Sequence, residues 1–137
     1  MEKADFLNFR ALVLELRQIR ALIDDLERER FTLPGCRITD TPREAPARGS
    51  AIERGMIRRE DVMDLYLRRR LKLEDEIRAV EEAIASLEVP LERLLMRLRY
   101  IEGRGWGSIV DELRPLGYSE RQVYRMHGYA LQKLKEV

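Results

Sequence analysis

The chain has few of the residues on which catalytic and metal sites depend. It contains one cysteine, Cys36, and one histidine, His127. A single cysteine forms no internal disulfide, and one Cys with one His falls short of the four ligands of a structural zinc site. No nucleophile–base pair, phosphate-binding loop or cluster of metal ligands stands out in the sequence. We therefore expect a protein that is not an enzyme and that holds no cofactor and no metal ion.

Long apolar runs and a strong net charge are also missing. No apolar stretch approaches the roughly 20 residues of a membrane-spanning helix, and the first residues lead into an amphipathic pattern rather than a signal peptide. The formal net charge is only +1, so no overall field attracts nucleic acid. These features predict a cytoplasmic protein with no membrane partner.

Charged and helix-forming residues, in contrast, are abundant. Asp, Glu, Lys and Arg make up 37% of the 137 residues, compared with an average of about a quarter. Leu, Arg and Glu dominate, and alternating strand patterns are absent. This composition favours helix nearly throughout, so we expect an all-α fold with no sheet.

Two long helices are predicted in the N-terminal part, one from about Ala4 to Arg30 and one that begins between Ser50 and Glu60 and ends near Leu87. In both, apolar residues recur at steps of three and four, the spacing of a coiled-coil seam. The seam residues are Phe9, Leu12, Leu16, Ile19, Ile23 and Leu26 in the first helix, and Tyr66, Leu73, Ile77, Val80, Ile84 and Leu87 in the second. Matching seams predict an antiparallel hairpin, a homodimeric coiled coil, or both. We therefore expect a homodimer or higher homo-oligomer through residues 5–30 and 62–87.

Between these helices the sequence predicts an irregular loop over about residues 32–55. Pro34, Pro42 and Pro46 lie there with Gly35 and Gly49, and such residues interrupt regular structure. Loops of this length are uncommon in compact domains and are either functional or disordered. The sequence leaves open whether this loop is functional or disordered.

Three shorter helices are predicted in residues 90–137, which we interpret as a domain separate from the helical region of residues 1–88. Pro90 suits the first turn of the third helix, which Gly103 and Gly105 end. The fourth helix runs from about Gly107 to Leu113 and the fifth from Glu120 to about Lys135. This domain has nine Lys/Arg and six Asp/Glu, a net charge of +3. Such a bias is compatible with DNA binding.

The fifth helix shows two distinct faces. Ser119 and Gln122 form a capping-box pattern at its start. Its apolar face carries Val123, Met126, Ala130, Leu131 and Leu134, and the opposite face carries Arg121, Arg125, Gly128 and Gln132, flanked by Gln122 and Tyr124. Arg and Gln in the first turns of such a helix suit the edges of guanine and adenine. An interior glycine costs about 1 kcal/mol, and at Gly128 it allows close approach of a phosphate backbone or a partner helix.

Trp106 and His127 are the two remaining residues of interest in this domain. We interpret Trp106 as a packing anchor between the third, fourth and fifth helices rather than a platform for stacking bases. His127 lies next to the apolar face of the fifth helix, so we interpret it as a packed or half-exposed helix residue rather than a ligand or a base.

Several motifs in this domain resemble region 4 of bacterial sigma factors. They are Arg99-Tyr-Ile-Glu-Gly103, Trp106-Gly-Ser-Ile109, Gly117-Tyr-Ser119 with Val123, and Ala130-Leu131 with Leu134. The resemblance is closer to small phage transcriptional regulators of the RinA/ArpU type, and it covers about residues 90–135. It implies a helix-turn-helix in which the fifth helix contacts DNA through Glu120, Arg121, Gln122, Tyr124 and Arg125. One departure is a longer turn, with Arg114-Pro-Leu116 as an insertion of about three residues.

The resemblance implies a sequence-specific DNA-binding transcription regulator, encoded by a phage or prophage, that binds double-stranded DNA and self-associates through its N-terminal helices. One alternative is a DNA-packaging assembly subunit, similar to a small terminase, in a ring of many chains. Another is a protein-binding module that contacts RNA polymerase without binding DNA. A dimer favours regulation and a ring favours packaging, so stoichiometry separates the first two interpretations.

Overall fold

The computed structural model describes the backbone of residues 1–31 and 45–136 and the side chains of residues 1–29 and 58–136. Across these ranges every regular element is helical and no strand occurs, so the predicted all-α class is confirmed. The elements are α1 (Lys3–Phe31), α2 (Ala45–Ala85), α3 (Pro90–Met96), a π-helical turn (Arg97–Ile101), α4 (Trp106–Leu113), a 3-10 turn (Arg114–Leu116) and α5 (Glu120–Lys135). No helix in the described part of the chain is both long enough and apolar enough to cross a membrane.

The start of α2 differs from the sequence-based expectation. The helix begins at Ala45, ahead of the predicted window between Ser50 and Glu60. Pro46 falls in its first turn, where the missing N–H of proline leaves no helical hydrogen bond unmade. Pro46 therefore lies at the start of a helix rather than in a loop. The prediction of a loop reaching residue 55 was wrong. The rest of the predicted loop, residues 32–44 with Cys36, lies outside the described residues.

The long helices run antiparallel in residues 15–73, one of two compact units into which the chain divides. Arg69 donates to both carboxylate oxygens of Glu15 at 2.9 and 3.1 Å, and Arg59 lies 3.8 Å from Glu29. Residue numbers thus rise along α1 as they fall along α2. The predicted seam is buried here at Leu16, Ile19, Ile23 and Leu73.

The other unit comprises Met1–Leu14 and Glu74–Val137. Its first core joins the N-terminal part of α1 and the C-terminal part of α2 to α3 and α5. The buried members are Phe6, Phe9, Val80, Ala83, Ile84, Leu87, Met96, Tyr100, Ala130 and Leu134. This division cuts across the predicted regions 1–88 and 90–137, because the rings of Phe6 and Phe9 are buried among C-terminal residues.

A second core in the same unit holds α3, α4 and α5 together. Its buried residues are Leu95, Leu98, Ile109, Val110, Leu113 and Val123, with Leu91, Trp106, Tyr118 and Met126 partly buried against them. Fully burying one such side chain contributes about 1.5–3 kcal/mol. The three short helices are therefore held by shared packing rather than by the stability of any one of them.

The turn between α4 and α5 accommodates the inserted residues as a 3-10 turn, Arg114–Leu116. Gly117 follows with a φ of +91°, a left-handed conformation that glycine adopts without steric cost. The glycine reverses the chain, and α5 then starts after Ser119.

Candidate nucleic-acid interface

The first turn of α5 is fixed by reciprocal hydrogen bonds. The backbone N–H of Gln122 donates to Ser119 Oγ at 3.3 Å, and the backbone N–H of Ser119 donates to Gln122 Oε1 at 2.8 Å. The predicted capping box is therefore confirmed. Caps of this kind contribute about 1 kcal/mol, and this one orients the turn that carries Glu120 and Arg121.

The two faces of α5 separate as predicted. Val123, Ala130 and Leu134 are completely buried, while Met126 and Leu131 are partly buried. The five residues predicted to contact DNA are solvent-exposed: Glu120, Arg121, Gln122, Tyr124 and Arg125. Gly128, where a phosphate backbone was predicted to approach, is exposed as well. The structure thus brings together on the first three turns of α5 every residue that the sequence singled out for this role.

Ion pairs within residues 90–136 show where positive charge remains uncompensated. Four acidic side chains have a basic partner in the same segment: Glu92 with Lys133, Glu102 and Glu112 with Arg104, and Asp111 with Arg114. Among the described residues, none forms an ion pair with Arg121 or Arg125. The positive charge of the outer face of α5 is therefore available to a negatively charged partner.

Trp106 lies between the π-helical turn and α5 and forms what we call the Trp106 cluster with Arg99, Tyr124 and His127. The Arg99 guanidinium carbon is 4.7 Å from the centroid of the indole ring. The rings of Tyr124 and His127 meet Trp106 edge-on, with centroids at 5.1 and 4.7 Å. The prediction that Trp106 anchors packing among these helices is confirmed.

His127 is buried and hydrogen-bonded. Its Nε2 lies 2.6 Å from the Tyr100 hydroxyl oxygen. Burial lowers the pKa of the imidazole from its ordinary 6.5 to about 4, and the positive charges of Lys3 and Arg99 act in the same direction. Burial also raises the pKa of the Tyr100 hydroxyl. His127 is therefore neutral at pH 7, and its interpretation as a packed residue is confirmed.

Tyr124 connects the Trp106 cluster to the start of α5. Its hydroxyl donates to Glu120 Oε1 at 3.0 Å. This hydrogen bond is the main reason that the pKa of Tyr124 lies above its ordinary value. The contact holds the Glu120 carboxylate against the helix, on the side of α5 that carries Tyr124.

One contact that sequence analysis missed lies in the turn before α4. Arg10 of α1 donates through Nη1 to the carbonyl oxygens of Ile101 at 3.2 Å and Glu102 at 2.7 Å. Gly103 has a φ of +70°, and a Cβ added there would lie 2.6 Å from the Arg10 side chain. The glycines predicted a helix end at this point, but no local pattern indicated an arginine more than 90 residues away in sequence.

No group of three or more potential metal ligands occurs among the residues that the structure describes. In comparisons with known proteins, no family model, no curated protein and no solved structure matches the chain.

Proposed function

We propose that α4 and α5 form a helix-turn-helix and that the protein is a sequence-specific DNA-binding transcription regulator. One observation carries the proposal: α5 is capped at its start and packed along one face, while its other face presents uncompensated arginines at Arg121 and Arg125. A helix held in this way is rigid, so its exposed side chains meet a partner in a defined register.

The spacing of these arginines suits duplex DNA. Residues four apart rise about 6 Å along a helix axis, which is close to two base-pair steps of about 3.4 Å each. The major groove is about 12 Å wide and admits an α-helix. Arg121 and Arg125 would thus reach positions about two base pairs apart. The side-chain amide N–H groups of Gln122 lie beside them as further donors, while its Oε1 accepts from the Ser119 backbone N–H.

Gly128 supports the same interface because the protein's own packing does not require it. Apart from the adjoining residues and the backbone of α5 itself, no heavy atom lies within 4 Å of the position that a Cβ would occupy, yet glycine inside a helix costs about 1 kcal/mol relative to alanine. The missing side chain leaves the backbone of α5 open on the face that carries Arg125. A phosphate backbone can approach closely there.

Self-association through the N-terminal helices would relate two copies of α5 by a two-fold axis. The pair could then contact a palindromic or repeated DNA site. On α1, Leu7 and Leu14 are each 57% exposed, and their spacing of seven residues places them on one face. Light scattering at micromolar concentration should give the mass of two chains for the regulator, whereas a ring of many chains would favour the packaging subunit. A monomer that remains folded would reject self-association.

The central experiment selects duplexes from a random library with the full chain and measures binding by fluorescence anisotropy. Arg121→Ala/Arg125→Ala should weaken binding by about 1–3 kcal/mol for each arginine that contacts a base. A matched control is Arg68→Ala/Arg78→Ala, because both arginines are exposed on α2 and the loss of charge is the same.

Tight binding by a folded Arg121→Ala/Arg125→Ala variant would show that α5 is not the DNA-contacting helix. If no duplex is selected and the protein instead binds RNA polymerase, the protein-binding alternative replaces the proposal.

A further inference from the structure

Arg99 is held in a fixed orientation on the π-helical turn. Its guanidinium carbon lies 4.7 Å from the centre of the Trp106 ring, and Nη1 donates to the carbonyl oxygen of Arg104 at 3.1 Å. A guanidinium has five N–H donors. The stacking contact occupies its face and the carbonyl takes one edge, so further donors remain for another acceptor.

The charge of Arg99 is not neutralised by the residues around it. The carboxylates of Glu102 and Glu112 are both paired with Arg104, the residue whose carbonyl oxygen accepts from Arg99. Within the described part of the chain, no carboxylate forms an ion pair with Arg99. An arginine that is positioned by an aromatic ring and lacks an acidic partner is suited to an external anion.

The position of Arg99 links it to the outer face of α5. Trp106, on which Arg99 stacks, meets the Tyr124 ring edge-on at 5.1 Å. On a helix, residues three and four apart are neighbours, so Tyr124 adjoins both Arg121 and Gly128. Arg99 therefore lies at the border of the surface that we propose to contact DNA.

We propose that Arg99 binds a backbone phosphate of the same duplex whose bases α5 contacts; this inference depends on the proposed function. A guanidinium binds phosphate through two parallel N–H donors, and its planar group loses little freedom when it is already oriented. Phosphate contacts set the register of a protein on DNA and carry no direct sequence information. The role of Arg99 is thus to position α5.

The first test is the dependence of affinity on salt concentration, measured with the duplex selected by the wild-type protein. Arg99→Gln should lower the slope of log K against log salt by about 1 and leave the preferred sequence unchanged. The matched control is Arg97→Gln, an exposed arginine on the same turn. It points to a different side, because residues two apart do not face each other, so its slope should stay that of wild type.

The second test removes the charge from single phosphates, by placing methylphosphonates one at a time along the selected duplex. At one position the substitution should weaken wild-type binding but not binding of Arg99→Gln. If Arg99→Gln does not fold, Arg99→Met replaces it in both tests, because the unbranched methionine side chain is long enough to cover Trp106.

The outcomes separate this inference from the proposed function. If the wild-type protein selects no duplex, both are rejected. If Arg121→Ala/Arg125→Ala loses binding while a folded Arg99 variant keeps the wild-type salt slope and methylphosphonate profile, only the phosphate contact is rejected. An equal loss of slope in Arg97→Gln would also reject it, because the effect would then reflect charge in general.

Discussion

The antiparallel helices of residues 15–73 and the short helices α3–α5 bury their apolar residues in different ways. In the first region the buried positions of α1, which are Leu16, Ile19 and Ile23, follow the repeated spacing of a seam, and ion pairs such as Arg69–Glu15 connect this helix to α2. In the second region no helix has more than 16 residues, and the contacts join elements that are distant in sequence. Repetition makes the first region predictable from sequence, whereas the second depends on how its helices meet.

The largest expected effect comes from removing a fully buried leucine in either region. Leu113→Ala in α4 and Leu73→Ala in α2 should each lower the free energy of unfolding by about 2–5 kcal/mol, because both leave a cavity. Trp106 is the only tryptophan, so its fluorescence reports the C-terminal helices while circular dichroism reports all helices.

In urea titrations of these variants, Leu113→Ala should shift the tryptophan transition more than Leu73→Ala does. Equal shifts of both signals in both variants would contradict the distinction, since the two regions would then unfold as one cooperative unit.

The second effect concerns pH and arises at His127 in α5. The folded protein holds the pKa of His127 at about 4 against an ordinary value of 6.5, so the unfolded chain takes up the proton first. The contribution of His127 to the free energy of unfolding should therefore be fully present above pH 6.5 and be lost as the pH drops toward 4. The loss should be about 3 kcal/mol at most, since each pKa unit corresponds to 1.36 kcal/mol. Protonation would place a charge near Lys3 and Arg99.

Urea midpoints followed by Trp106 fluorescence between pH 7 and 4 should show this decline, and His127→Gln should flatten it. The two proteins would show the same pH dependence if another group were responsible.

The third effect is the loss of the glycine before α4. Gly103→Ala should destabilise the protein by about 1–2 kcal/mol, because a left-handed backbone disfavours a Cβ and the Arg10 side chain must move from its carbonyl partners. Gly107→Ala is a matched control, since no heavy atom beyond the adjoining residues and the local helix backbone lies within 4 Å of its added Cβ. In thermal unfolding, Gly103→Ala should lower the melting temperature relative to wild type, whereas Gly107→Ala should leave it unchanged or raise it. A neutral Gly103→Ala would show that the Arg10 contact contributes little.

The smallest effect on stability is expected for Gly128→Ala, and we expect this variant also to bind DNA more weakly. Gly128→Ala should raise the free energy of unfolding by about 0.5–1 kcal/mol through helix propensity alone. If a phosphate backbone approaches α5 here, the same variant should bind the selected duplex more weakly. Unchanged affinity in the stabilised variant would remove Gly128 from the interface while leaving Arg121 and Arg125 in place.

Much of the candidate interface was predictable because its signals are local. The Ser119–Gln122 capping box marks the start of α5 within three residues of sequence, and the spacing of apolar residues separates its faces. The start of α2 was predicted wrongly because proline is common both in loops and in the first turn of a helix, so Pro46 alone did not distinguish them. The DNA-binding role itself stays a prediction.

Apart from the start of α2, the sequence by itself determined which described segments are helical and which side of each helix is apolar, because backbone hydrogen bonding and the 3.6-residue repeat act over a few neighbouring residues. Only the tertiary structure decided that Arg99 stacks on Trp106, that Tyr100 and His127 share a buried hydrogen bond, and that Arg10 binds the carbonyls before Gly103. These contacts join residues on different helices. Their geometry depends on where packing of the shared cores places each helix, and no local pattern of residues encodes that placement.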